Sequence, residues 1–119
     1  MEFEIKEHEK YIFFVLQEKK FIVNNAPKFK TQLMYLIKEN KSLICDMSNI
    51  DYVDSSGLSA LLVGDRLLKQ QNNLFILCNV SKKVTELIEL TKLNKILLVI
   101  EDSNEAKDYI MFNELEKEL

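Results

Sequence analysis

Apolar and polar positions along this chain repeat with two different periods, and the alternation between them predicts its elements. Residues 3 to 7 and 11 to 17 read as a hairpin. His8-Glu9-Lys10 forms the turn, and Tyr11-Ile12-Phe13-Phe14-Val15-Leu16 is rich in aromatic and branched residues. Asn24-Asn25-Ala26-Pro27 marks a helix start, because Asn caps well and Pro fits the first turn. Phe29, Leu33, Leu36 and Ile37 then recur on one face, predicting a helix over 26–39. Leu43 to Met47 is a short continuous apolar strand. Ser55 or Ser56 is expected to cap a helix over 57–71 with an apolar stripe at Leu58, Leu61, Leu62 and Leu68. Leu74 to Cys78 is another buried strand, followed by a helix capped by Ser81 that turns Val84, Leu87 and Ile88 inward. Ile96 to Ile100 is the last strand, and Ser103 caps a final helix through Ala106, Ile110 and Leu115. After the hairpin, continuous apolar strands alternate with helices. That order implies an α/β domain with a largely parallel sheet covered by helices. Functional loops of such sheets tend to lie beyond the strand C-terminal ends, which is where the turn from Ser48 to Ser56 leaves its strand.

Length and composition narrow this little further. At 119 residues with 47% apolar residues, the chain is expected to be a single domain, 1–119, with a core that needs no staples. Sixteen basic residues scattered among nineteen acids, net charge −3, give no footprint for nucleic acid. Apolar runs such as Ile96 to Ile100 are far short of a membrane span, and the N-terminus does not read as a secretory signal. Cys45 and Cys78 sit in strand-like runs and read as reduced, buried thiols, so a cytoplasmic location is expected.

The candidate chemistry lies in Asp46 to Leu58, which holds Asp46, Asp51 and Asp54 with Ser48, Ser55 and Ser56. A hydrolase elbow would need Gly-x-Ser-x-Gly and a histidine base, but no glycine precedes Ser56 and the one histidine, His8, lies in the hairpin turn. No catalytic residue is therefore expected. Nothing downstream completes a metal site with the aspartates, and Gly57 and Gly64 cannot build a phosphate-binding loop, so no metal or cofactor is expected. On residue types alone, Asp54-Ser55-Ser56-Gly57 is a helix N-cap worth about 1 kcal/mol. Tyr52 and Val53, if the turn is exposed, would be apolar anchors for a partner.

The wider string Asp46-Met47-Ser48-Asn49-Ile50-Asp51-Tyr52-Val53-Asp54-Ser55-Ser56-Gly57-Leu58 resembles the signature of the anti-sigma factor antagonist family, the STAS domain. Asn25-Ala26-Pro27 matches the start of that family's first helix, and Leu90-Thr91-Lys92-Leu93 its Leu-Thr-Gly-Leu segment. The resemblance implies a mixed sheet of four or five strands, helices mainly on one face and an exposed N-terminal hairpin. It implies a non-enzymatic regulator whose phosphoacceptor is Ser56. The expected partner is an anti-sigma factor and serine kinase with a histidine-kinase-like fold, whose capture frees a sigma factor, and a phosphoserine phosphatase would reset the mark. Asp51, Tyr52, Val53, Asp54, Ser55, Ser56, Gly57 and Leu58, with Asn24 and Asn25, would form the partner surface. An alternative is an accessory subunit of an ABC-type lipid transport system, which binds the ATPase without a phosphorylation cycle; a third is a scaffold in which Ser56 is only a cap. The chain departs from the family at Ile22, where an Asp is usual, and at Lys92, which stands for Gly, so that either Lys92 accepts a left-handed backbone or the turn is built differently.

Overall fold

The computed structural model describes residues 1–119. Its strands are β1 (Phe3–Glu7), β2 (Tyr11–Leu16), β3 (Lys20–Phe21), β4 (Ser42–Asp46), β5 (Tyr52–Val53), β6 (Phe75–Cys78) and β7 (Leu98–Ile100). Its helices are α1 (Ala26–Leu36), α2 (Ser55–Gln70), α3 (Lys82–Leu90) and α4 (Ser103–Glu118). Five strands form one sheet in the order β1-β2-β4-β6-β7, with β1 antiparallel to β2 and every other pairing parallel. β3 and β5 make a separate two-stranded parallel pair.

Side chains on a strand alternate between faces, and β2 shows this clearly. Ile12, Phe14 and Leu16 join the larger apolar cluster with Phe29 and Leu33 of α1, Leu61 and Leu68 of α2, and Val84 and Ile88 of α3. Tyr11 points the other way and joins Ile44, Ile76 and Cys78 beneath Ala106 and Ile110 of α4. Three helices thus cover one face and α4 the other. β4 is buried along its whole length, and its centre, Leu43 to Cys45, is apolar. Phe14, Phe29, Leu33 and Leu61 have no exposed surface, and each contributes roughly 1.5–3 kcal/mol by leaving water.

Several boundaries differ from the sequence reading. The α-helical turns of α1 stop at Leu36; residues 37–39 form a 3-10 turn, and Asn40 in the left-handed region (φ 53°) ends it. Leu74 precedes β6, and Ile96 and Leu97 precede β7 because a 3-10 turn at Leu93–Lys95 takes up the chain there. Ser81 caps α3 as expected, accepting from the Val84 amide at 3.2 Å. Asp102, not Ser103, caps α4, its carboxylate accepting from the Glu105 amide at 2.9 Å. Leu115 is 61% exposed and lies outside the core. Lys92 does adopt the left-handed conformation, at φ 62°, a strain of about 1 kcal/mol for a residue with a Cβ.

The register pairs Cys45 with Leu77 and Asp46 with Cys78, so the two thiols point to opposite faces and cannot form a disulfide. Burial pushes the Cys45 thiol well up and the Cys78 thiol to about 12. Both should stay unmodified when the native protein is treated with a maleimide near neutral pH, and both should label in denaturant; mass spectrometry reads the difference.

Candidate functional site

The chain leaves β4 at Asp46, whose carboxylate accepts from the Ser48 amide at 2.8 Å and from Asn79 Nδ2 at 3.1 Å. This Asx turn bends the strand end outward. Met47 and Ile50, both buried, pin the loop to the core while Ser48 and Asn49 remain in solvent. The Asp51 and Tyr52 amides then both donate to the Lys19 carbonyl, at 2.8 and 3.3 Å, and β5 pairs with β3. The Asp54 amide closes the pair on the Phe21 carbonyl at 3.2 Å.

Asp54 is the N-cap of α2, a role the sequence reading gave to Ser55 or Ser56. One carboxylate oxygen accepts from the Gly57 amide at 3.0 Å and the other from the Val23 amide at 3.0 Å. A single carboxylate therefore joins the start of α2 to the turn before α1. The Gly57 amide first, then those of Val23 and Ser56, hold this carboxyl below its ordinary 3.8 against the opposing effect of burial. A depressed folded value means the contribution is fully present above pH 3.8 and lost as pH falls through the folded value. Asp54→Asn should lower Tm at pH 7, and its gap from wild type should close in melts run well below pH 3.8. A gap that stays constant across that range would remove the carboxylate's charge from the account.

With Asp54 as the cap, Ser55 and Ser56 are the first two residues of the helix. Neither hydroxyl takes part in the hydrogen bonds of this region, which run through Asp54 and the backbone. Ser55 is exposed and Ser56 half-buried. Gly57 is buried because the backbone approaches it closely: a Cβ there would overlap the Phe21 carbonyl oxygen and lie 2.8 Å from Val53 Cγ1. Leu58 is half-buried against the main core.

The other expected site residues divide in the same way. Asp51 is exposed and Tyr52 46% exposed, beside exposed Val23 and Asn24. Val53 is only 4% exposed. It packs inward because adjacent residues of a strand face opposite ways, so it is a core residue that turns Tyr52 outward and not a partner anchor. Asn25 occupies the cap position of α1 without capping it. Its Oδ1 accepts from the Ile22 amide at 2.9 Å and its Nδ2 donates to the Lys20 carbonyl at 2.8 Å, fastening the turn between β3 and α1. His8 stacks on Tyr11 at the start of β2, the end of the sheet remote from this loop.

A groove of about 390 Å³ beside Tyr52 was not foreseen. Leu87 and Leu90 of α3 line it together with Asp51, Lys83 and Glu86. Leu90 is 80% exposed. The signal for it is a second apolar line, Leu87 and Leu90, beside the Val84 and Ile88 pair that the core uses. Lys20 and Lys83 flank Asp51 and Tyr52 in an adjoining hollow.

Comparison with known proteins came out as follows. The STAS domain family profile matches residues 2–106. An anti-sigma-B factor antagonist of Listeria monocytogenes is 33% identical over 73 residues, covering 60% of this chain and 64% of the relative's length. In fold, the chain is similar to an anti-sigma factor antagonist from Mycobacterium paratuberculosis (TM-score 0.81, 16% identity, 92% of this chain and 93% of that one). It is also similar to the Bacillus cell fate determinant SpoIIAA in its phosphorylated form (TM-score 0.69, 17% identity, 92% and 99%). No helix is long and apolar enough to cross a membrane.

Proposed function

This chain belongs to the STAS domain family, and from that premise we propose that it is an anti-sigma factor antagonist, a binding protein without catalytic activity. It takes up an anti-sigma factor of histidine-kinase-like fold, so that a sigma factor is released. Phosphorylation of Ser56 by that partner ends the interaction, and a phosphoserine phosphatase restores it. The protein and its partner then both act in the cytoplasm.

The observation that carries this reading is the division of labour at the start of α2. Asp54 supplies the cap, which leaves the Ser56 hydroxyl free of any structural duty on the first helical turn. Asp51, Tyr52, Ser55 and Asn24 are exposed, and this reading assigns them, with Ser56, to the partner surface. Val53, Asp54, Gly57, Leu58 and Asn25 hold that surface in place from behind. A related protein bears the name anti-sigma-B factor antagonist, and SpoIIAA exists in a phosphorylated form; both support the reading. Physically, a phosphate adds about −1.5 to −2 charges at neutral pH. The amides and dipole at a helix N-terminus tolerate that charge, so the domain keeps its fold while an interface over Ser56 is spoiled.

Affinity capture from the native cell lysate tests this, with wild-type and Ser56→Asp protein as parallel baits. An ATP-binding anti-sigma factor retained by wild type and lost with Asp is the expected result. Transporter subunits retained equally by both baits would overturn it in favour of an accessory role in lipid transport.

A further inference from the structure

We propose that the hollow between the β1–β2 hairpin and the start of α4 binds a small phosphate monoester with a flat or short apolar body. It lies on the face of the sheet that α4 covers, whereas Ser56 and the first three helices belong to the other. Nothing in the proposed antagonist role uses it.

The hollow encloses about 220 Å³. At about 30 Å³ each that is room for roughly seven waters, below the ~300–1,000 Å³ of sites for drug-sized ligands. Its floor is apolar. Tyr11 and Ile44 are buried beneath α4, but Phe13 is left half-exposed where α4 stops short of β2. His8 stacks on Tyr11 with ring centres 4.5 Å apart and walls one side. The rim is made of donors: Lys6 and Lys107, the His8 ring, the Ser103 hydroxyl and the Asn104 amide group. No carboxylate lines it.

The charges around the rim are weakly committed. Lys107 enters no ion pair, and Lys6 pairs only with Glu4, at 3.2 Å between two exposed side chains. Asp102, on the first turn of α4, gives its carboxylate to the Glu105 amide. Two ammonium groups suit a dianion, because lysine binds phosphate as a point charge without demanding a planar, two-pronged match. The apolar floor then takes the body of the ester, which inorganic phosphate lacks.

Titration of the ¹⁵N-labelled full chain with phenyl phosphate, followed by ¹H–¹⁵N correlation NMR, tests the assignment. Saturable shifts confined to residues around His8, Tyr11, Phe13 and Ser103 to Lys107 are expected. Inorganic phosphate and phenol, titrated separately, should each bind at least about tenfold more weakly, since each reaches only half of the site. The double variant Lys6→Gln, Lys107→Gln should weaken phenyl phosphate by about tenfold and leave the rest of the spectrum in place, because both side chains lie at the surface. Shifts that do not saturate, that centre on Ser56, or that persist unchanged in the double variant would overturn the proposal, and so would phenol binding as tightly as its phosphate.

Discussion

A Ser56→Asp protein is expected to fold as the wild type does and to bind the proposed anti-sigma factor partner about 100-fold or more weakly. The two halves of that result have separate physical origins. An acid on the first turn of α2 faces unpaired amides and the positive end of the helix dipole, a favourable placement worth about 0.3–1 kcal/mol. Melting temperature should therefore hold or rise slightly. The partner meets the same charge from outside. Ser56 is half-buried, and a carboxylate covered there by a partner without a cationic mate costs several kcal/mol, at about 1.4 kcal/mol per factor of ten. Ser56→Ala, which adds no charge, should keep most of the affinity while abolishing phosphorylation. Isothermal titration with the partner captured by the wild-type bait reads all three proteins. If Ser56→Asp binds as tightly as wild type, Ser56 is no switch.

Gly57→Ala should give the largest loss of stability of any single methyl added to this surface loop. In an ordinary helix that exchange is favourable by about 1 kcal/mol. Here the new methyl would overlap the Phe21 carbonyl oxygen and crowd Val53 Cγ1 at 2.8 Å. The carbonyl cannot withdraw freely, because it accepts from the Asp54 amide at 3.2 Å and lies in the β3–β5 pair. Overpacking against backbone costs about 1–3 kcal/mol and occasionally more. Set against the helix gain of about 1 kcal/mol, we expect about 2 kcal/mol net, or roughly 8 °C in Tm for a domain of this size. Gly64→Ala is the matched control: its methyl would meet the Phe75 ring tip at 2.9 Å, and a ring can shift where a carbonyl cannot. Thermal melts that place Gly57→Ala at or above wild type would contradict the close approach. Partner binding should fall as well, since displacing Phe21 loosens the strand that presents Tyr52.

Much of this architecture could be read from the chain alone, and the reasons are local. β4 and β6 are continuous apolar runs because both faces are covered, and Ser81 caps α3 without competition from neighbours. The misreadings share a different cause. Three capping residues stand in a row at Asp54-Ser55-Ser56, and what selects Asp54 is its second oxygen reaching the Val23 amide, 31 residues away in sequence. The same holds at Asp102-Ser103, where two good caps adjoin. Tyr52 and Val53 read alike in the sequence because a two-residue strand is too short to show a period, and only its pairing with Lys20 and Phe21 sends one outward and the other in. The groove at Leu87 and Leu90 needs α3 to be placed against β5 before it exists. Ser56 itself was legible through resemblance, while its freedom from capping was not.

The spatial order of the main sheet, β1-β2-β4-β6-β7, is also the order of synthesis. Each strand joins the edge left by the one before it, and none must be inserted between two already paired. A nascent chain can therefore grow its sheet from one side as it leaves the ribosome, paying loop-closure entropy in short instalments and exposing one fresh edge at a time. From beyond α2, the surface around Ser56 uses Asn79, which steadies Asp46, the Cys78 carbonyl, which accepts from the Met47 amide, and α3, which packs on β5. All of these are made before β7 and α4 exist. Truncation after α3, in a ribosome-stalled chain, should already protect β3 and β5 from protease.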